Sequence, residues 1–243
     1  HRSTRGWSYG ASITDPRTGE IIKGHVSLGS LRVRQDFLIA QGLSLDPFAQ
    51  DQIDPAMQEL ALARLRQLSA HEVGHTLGFA HNFAASAYGK VSVMDYPHPQ
   101  LSLKDGTIDY SKAYEAGIGL WDKISVAYSY GDIPQGTEQT DYLSALLDKA
   151  FSQDLLFITD SDARAASGSH AQAHLWDNAS NAAQGLEEIM SVRTVAINQF
   201  SLNQIPKGQP HSVLEDVFVP ISYLHRYQTE ASVKMLRGQH YDY

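Results

Sequence analysis

The 243-residue chain carries 27 Asp and Glu against 19 Lys and Arg, a formal charge of −8, with 42% hydrophobic and 19% charged residues. That composition excludes a disordered chain, and the acidic balance excludes nucleic acid as the main partner, because phosphate binding needs a basic surface. The absence of cysteine removes disulfides, thiolate metal sites and a cysteine nucleophile together. No apolar run reaches the roughly 18–20 residues that span a bilayer. Any metal must be held by His, Asp, Glu or Tyr, and 11 histidines are available.

The chain opens on His1 with no Met or signal-like segment, and reads as a piece of something longer. Residues 7–35 read as strands. Trp7 to Thr14 and Glu20 to Ile22 flank Asp15-Pro16-Arg17-Thr18-Gly19, with Pro early and Gly late, which is hairpin chemistry. A third β-prone run, His25 to Val33, alternates as a half-buried strand would. Asp54 then caps a long helix with Pro55 at its first position. Met57, Leu60, Ala61, Leu65 and Leu68 recur at helical spacing, and Gly78 can end the helix in the left-handed conformation. Beyond residue 100 the pattern is mainly helical, over 112–129, 141–152, 181–199 and 213–236, the last kinked at Pro220. Residues 159–180 read as loop. Strands first and helices later predict an α+β fold.

The decisive segment is His71-Glu72-Val73-Gly74-His75-Thr76-Leu77-Gly78-Phe79-Ala80-His81. Histidines four apart on a helix share one face, so both imidazoles reach one ion. Glu72, beside the first, can address a water on that ion without ligating it. Gly78 reverses the chain and lets His81 arrive from outside the helix as a third nitrogen ligand. Three imidazoles and an open fourth position describe catalytic Zn2+, not a closed structural site. Histidines merely solvated on a helix surface would not need this spacing.

Ser92-Val93-Met94-Asp95-Tyr96-Pro97 follows, and here the sequence resembles the metzincin zinc endopeptidases. These join the same histidine motif to a methionine-containing turn. The likeness narrows to a bacterial secreted or envelope family of zinc-dependent metalloproteases through Arg2 to Trp7, Asp15 to Glu20, Gly24 to Asp36, His81-Asn82-Phe83, Trp121-Asp122-Lys123 and His225-Arg226-Tyr227-Gln228. Ala179 departs from it, standing where that pattern has glycine.

The resemblance implies a zincin fold: a small mixed sheet and the active-site helix above a cleft in residues 1–83, and a mainly helical lower subdomain in 84–243. It implies a zinc endopeptidase with His71, His75 and His81 as ligands and Glu72 as general base. Met94 would be a floor under the imidazoles, and Tyr96 a switch that leaves the metal to bond the reacting oxygen. An extended peptide would pair along His25 to Val33, and residues 97–101 would wall a specificity pocket. The family implies an extracytoplasmic location and a parent chain that packs on this one. An opening strand and helix that such domains carry before the hairpin are expected upstream.

Other residues have blander readings. His98 fits an exposed loop histidine, and His170 with His174 lacks the adjacent acid of a second site. Asp160, Asp162, Asp177 and Asn178 could offer oxygens to calcium, but no complete loop pattern exists. Two other functions remain open: a catalytically idle module that binds peptide or glycan, and a zinc amidase acting on cell-wall peptides.

Overall fold

A computed structural model describes residues 7–164 and 167–241. The Arg2–Gly6 part of the resemblance lies outside them. The fold opens with an antiparallel hairpin, β1 (Tyr9–Thr14) and β2 (Ile21–Ser27), in register Tyr9 to Ser27 through Ser12 to Gly24. Its turn closes as the sequence predicts. The amide of Gly19, at φ +77°, donates to the Asp15 carbonyl at 2.8 Å, and the Asp15 carboxylate holds Arg17 at 2.6 Å.

The chain then departs from the predicted third strand. Only His25 to Ser27 continue β2; Ser30–Leu43 form helix α1. The buried side of α1 is Asp36, Ala40, Gln41, Gly42 and Leu43, a mixture of polar and small groups without the apolar stripe that announces a helix. Helix α2 (Pro55–Thr76) starts where expected. The Asp54 carboxylate accepts from the Ala56 amide at 2.9 Å, and Met57, Leu60, Ala61 and Leu68 are buried.

A second hairpin, β3 (Ser102–Lys104) and β4 (Thr107–Asp109), stands in the stretch read as helical. Asp105 and Gly106 make its turn at φ +51° and +79°, the left-handed pair that a two-residue hairpin turn demands. The helix expected over 112–129 begins only at Leu120 (α3, Leu120–Tyr130), because Gly117 at φ +85° breaks the run. Helices α4 (Gln139–Phe151) and α6 (Ala182–Gln199) lie close to the expected bounds, and the loop between them holds the short α5 (Asp160–Ala163). The last helix is two, α7 (Val213–Ser222) and α8 (Arg226–Met235). Pro220 sits inside α7, and the break falls after it, at residues 223–225.

The α+β class holds. Its strands pair antiparallel, with one isolated parallel bridge between His170 and Gln239. No helix among the described residues is long and apolar enough to cross a membrane. α1 lies along α2 and α7, while α6 packs on α7 and α8. Leu43, Leu101, Val192, Ala196, Ile221 and Leu224 form the core of the helical layer. A second cluster, Phe83, Ala84, Leu156 and Ile158, meets the histidine segment through Phe83, whose ring centre lies 5.2 Å from that of His81.

Candidate metal centre

The end of α2 explains how the third histidine arrives. The Gly78 amide donates to the His75 carbonyl at 3.1 Å and the Phe79 amide to the Gly74 carbonyl at 3.1 Å, with Gly78 at φ +88°. This paired closure reverses the chain within two residues, and glycine is the residue that takes that φ without a Cβ penalty. Asn82 then fastens the returning strand: its amide donates to the Met94 carbonyl at 3.0 Å and its side chain to the Leu156 carbonyl at 2.8 Å.

The result is convergence. His75 Nε2 lies 3.1 Å from His71 Nε2 and 3.1 Å from His81 Nε2. Each Nδ1 faces outward to an acceptor: His71 to the Val93 carbonyl at 2.7 Å, His75 to the Phe79 carbonyl at 2.9 Å, and His81 to Asp160 Oδ2 at 2.7 Å. A neutral imidazole donating from Nδ1 carries its lone pair on Nε2. Three lone pairs therefore point at one volume, and tetrahedral zinc with Zn–N near 2.0–2.1 Å would space its nitrogens by about 3.3 Å. The donor set fits zinc. Burial drives the His71 pKa down to about 3, against the opposing pull of the Val93 carbonyl, and burial also lowers His81. Both imidazoles are thus neutral at pH 7, as ligation requires.

Glu72 is buried at 4% exposure beneath the hairpin. Burial raises its carboxyl above the ordinary value, offset in part by His75, an N–H from Gly10 and Arg64. Met94 lies against the helix at Gly74, where a Cβ would sit 2.3 Å from the Met94 sulfur. Its turn is tied to α3 by Asp122, whose carboxylate accepts from Ser92 Oγ at 2.6 Å, the Val93 amide at 2.8 Å and the Gly119 amide at 2.7 Å. The Tyr96 ring stands 4.8 Å from that of His81 and 5.5 Å from that of His71, and burial raises its pKa.

Several contributors escaped the sequence reading. Asp160, one of four residues whose oxygens form only an incomplete calcium pattern in the sequence, holds His81 and Arg164; burial would raise its carboxyl, but those contacts outweigh it and keep it below the usual range. Asp162 accepts from the Tyr241 hydroxyl, Asp177 from Gln228, and Asn178 bonds the His98 backbone, so the four do not converge on a cation. His98 stands in a loop but is half-buried, not exposed, and burial brings its pKa down to about 4. His170 and His174 serve different partners, Tyr241 and Glu230. Among the described residues the metal-competent group is His71, His75 and His81. A hydrogen bond spanning 79 residues, as between His81 and Asp160, leaves no local pattern to find.

A helix with two histidines, a glycine reversal to the third, and a methionine turn below them define a zinc metalloprotease-like domain of the metzincin type. The chain belongs to the Met-zincin family, whose model matches residues 53–243. No curated protein and no solved structure matches it.

Proposed function

We propose that the protein is a zinc-dependent endopeptidase in which His71, His75 and His81 hold the metal and Glu72 is the general base. The observation that carries this reading is the convergence of three outward-bonded imidazoles beside a buried carboxylate whose pKa is raised. Zinc, when bound, supplies Lewis-acid polarisation and a water of lowered pKa. Glu72 takes the proton of the attacking water and delivers it to the leaving amine, a task suited to a carboxyl that burial raises above its ordinary value. The Gly10 N–H orients that carboxylate from the hairpin. The Tyr96 hydroxyl, over the imidazoles, donates to the reacting oxygen as charge develops. The extended substrate pairs with the free edge of β2, Ile21–Ser27; the longer edge expected to Val33 ends where α1 begins.

The test is Glu72→Gln. The variant keeps zinc by metal analysis and loses peptide cleavage, and in the wild type a chelator removes activity that zinc restores. Cleavage by Glu72→Gln at the wild-type rate sinks the base assignment, and active protein without zinc sinks the site.

A further inference from the structure

Behind Tyr96 lies a cavity of about 370 Å³ that the catalytic reading does not use. Its walls come from α1, the segment after the methionine turn, and the α7–α8 junction, including Arg32, His98, Tyr114, Trp176, Arg226 and Tyr227. No Asp or Glu lines it, although acids outnumber bases by 27 to 19 over the chain. Two guanidiniums line it, Arg32 and Arg226, and a third, Arg64, packs on its Trp176 wall. Arg32 lies 4.9 Å and Arg64 5.8 Å from the centre of the Trp176 ring, and Arg226 stacks 4.3 Å from the centre of Tyr227.

Two of these cations, Arg32 and Arg64, each keep a buried donor unsatisfied among the described residues, while Arg226 is exposed and donates to the Tyr227 hydroxyl. Arg32 meets Asp36 only at 3.5 Å, and its Nε is buried with no hydrogen-bond partner among the described residues. The Nε of Arg64, in a side chain 4% exposed, is likewise unsatisfied there, although its Nη1 donates to the Gln67 side chain. A buried cationic donor without an acceptor is costly, and an incoming anion relieves that cost. A guanidinium stacked on an aromatic ring leaves its planar fork of donors free to take a carboxylate through two bonds.

The cavity adjoins the metal centre through Trp176. Trp176 donates its amide to the Tyr96 carbonyl at 2.8 Å, its ring lies 5.3 Å from Tyr96, and it also walls the cavity. It holds φ +61°, a conformation a bulky residue adopts only when its surroundings impose it. The backbone strain thus sits at the residue shared by the cavity and the reacting centre.

We propose that this cavity binds a carboxylate of the peptide substrate, an Asp or Glu side chain or a free C-terminus, and makes the protein selective for acidic peptides. The inference rests on the peptidase reading above, and it assigns Arg32 and Arg226 as specificity-determining residues.

The test uses zinc-loaded Glu72→Gln protein, so that binding is read by calorimetry without cleavage. Capped peptides carrying Glu or Gln at each position in turn probe the side chain, and neutral peptides with free or amidated C-termini probe the terminus. The charged member of one series binds at least tenfold more tightly, about 1.4 kcal/mol, and that series identifies the source of the carboxylate. Arg32→Met and Arg226→Met each cut the ratio below threefold. Arg32 faces the buried Asp36, so the exposed Arg226 keeps the test open if the first variant fails to fold. Equal binding within both series, no binding at all, or a ratio unchanged in the arginine variants overturns the proposal. Wild-type protein that shows the preference yet cleaves no peptide refutes the peptidase reading and leaves the cavity assignment standing.

Discussion

Gly10 is where the hairpin crosses the metal-binding helix, and replacing it with alanine tests that crossing. On sequence grounds the change looks favourable, because glycine inside a strand costs roughly 0.5–1 kcal/mol relative to alanine. The structure reverses the sign. A Cβ at residue 10 would lie 1.9 Å from the carbonyl oxygen of Glu72 and 3.0 Å from the His75 Cβ, against the 3.4 Å at which ordinary contact begins. The obstacle is helix backbone, which cannot rotate away, so β1 must lift by about 1.5 Å. Overpacking of this kind costs about 1–3 kcal/mol, and lifting β1 also withdraws the N–H that orients Glu72. Gly24→Ala is the graded control. Its Cβ meets the Thr76 side chain at 3.0 Å, and a side chain can yield. Urea unfolding of both variants should rank them Gly10→Ala least stable, then Gly24→Ala, then wild type, with Gly10→Ala also losing most peptide cleavage. If Gly10→Ala proves as stable as the wild type, or more so, β1 does not cross α2 at Glu72.

Three further outcomes follow from individual contacts. Asp160→Asn weakens zinc binding by about 10–100-fold, the usual cost of losing the carboxylate behind a ligating imidazole; unchanged affinity in a competition titration against a chelator would falsify the positioning role. Asp122→Ala leaves the buried Val93 amide and Ser92 hydroxyl without their acceptor and costs about 3 kcal/mol in denaturant unfolding; a loss under 1 kcal/mol contradicts it. His98 ties stability to pH. Its folded pKa of about 4 lies below the ordinary 6.5, so below pH 6.5 the unfolded chain takes up the proton that the folded one refuses. Stability therefore falls as pH drops from 6.5 to 4, by at most about 3 kcal/mol. His98→Leu should flatten that part of the profile, and a wild-type slope retained in the variant removes His98 as its source.

What the sequence made legible was local chemistry. Asp54-Pro55 and Gly78 bound α2 because capping and reversal depend on residues within a turn of each other, and Asp15 to Gly19 marks its hairpin for the same reason. The histidine motif is legible because a helix converts spacing directly into a shared face. α1 was hidden because the face it buries includes Asp36, Gln41 and Gly42, chosen by the charges and close backbones opposite and not by hydrophobicity. β3 and β4 are three residues each, too short for alternation to register, although Asp105-Gly106 was a usable turn signal. Asp122, Asp160 and Trp176 act on the site across 30 to 80 residues of chain, where one sequence carries no record of proximity.

The five positions from His71 to His75 are therefore not two ligands, a base and two spacers. His71 and His75 turn their Nε2 atoms to a common point, and Glu72 meets the hairpin through Gly10. Gly74 meets the methionine turn with no room for a Cβ, while Val73 remains 48% exposed. Successive residues on a helix are 100° apart, so four of the five are distributed among the metal volume, the sheet and the turn. That distribution makes α2 the element through which the hairpin and the methionine turn are aligned on one another. The apolar face of α2, Met57, Leu60, Ala61 and Leu68, is confined to about its first four turns, and the last turn gives its sides to the sheet, the methionine turn and the ion volume instead. The same contacts explain why glycine stands at Gly74, mid-helix, where alanine would be favoured by about 1 kcal/mol of propensity. The space it leaves is filled by the sulfur of Met94, which fixes how closely the turn approaches beneath the imidazoles.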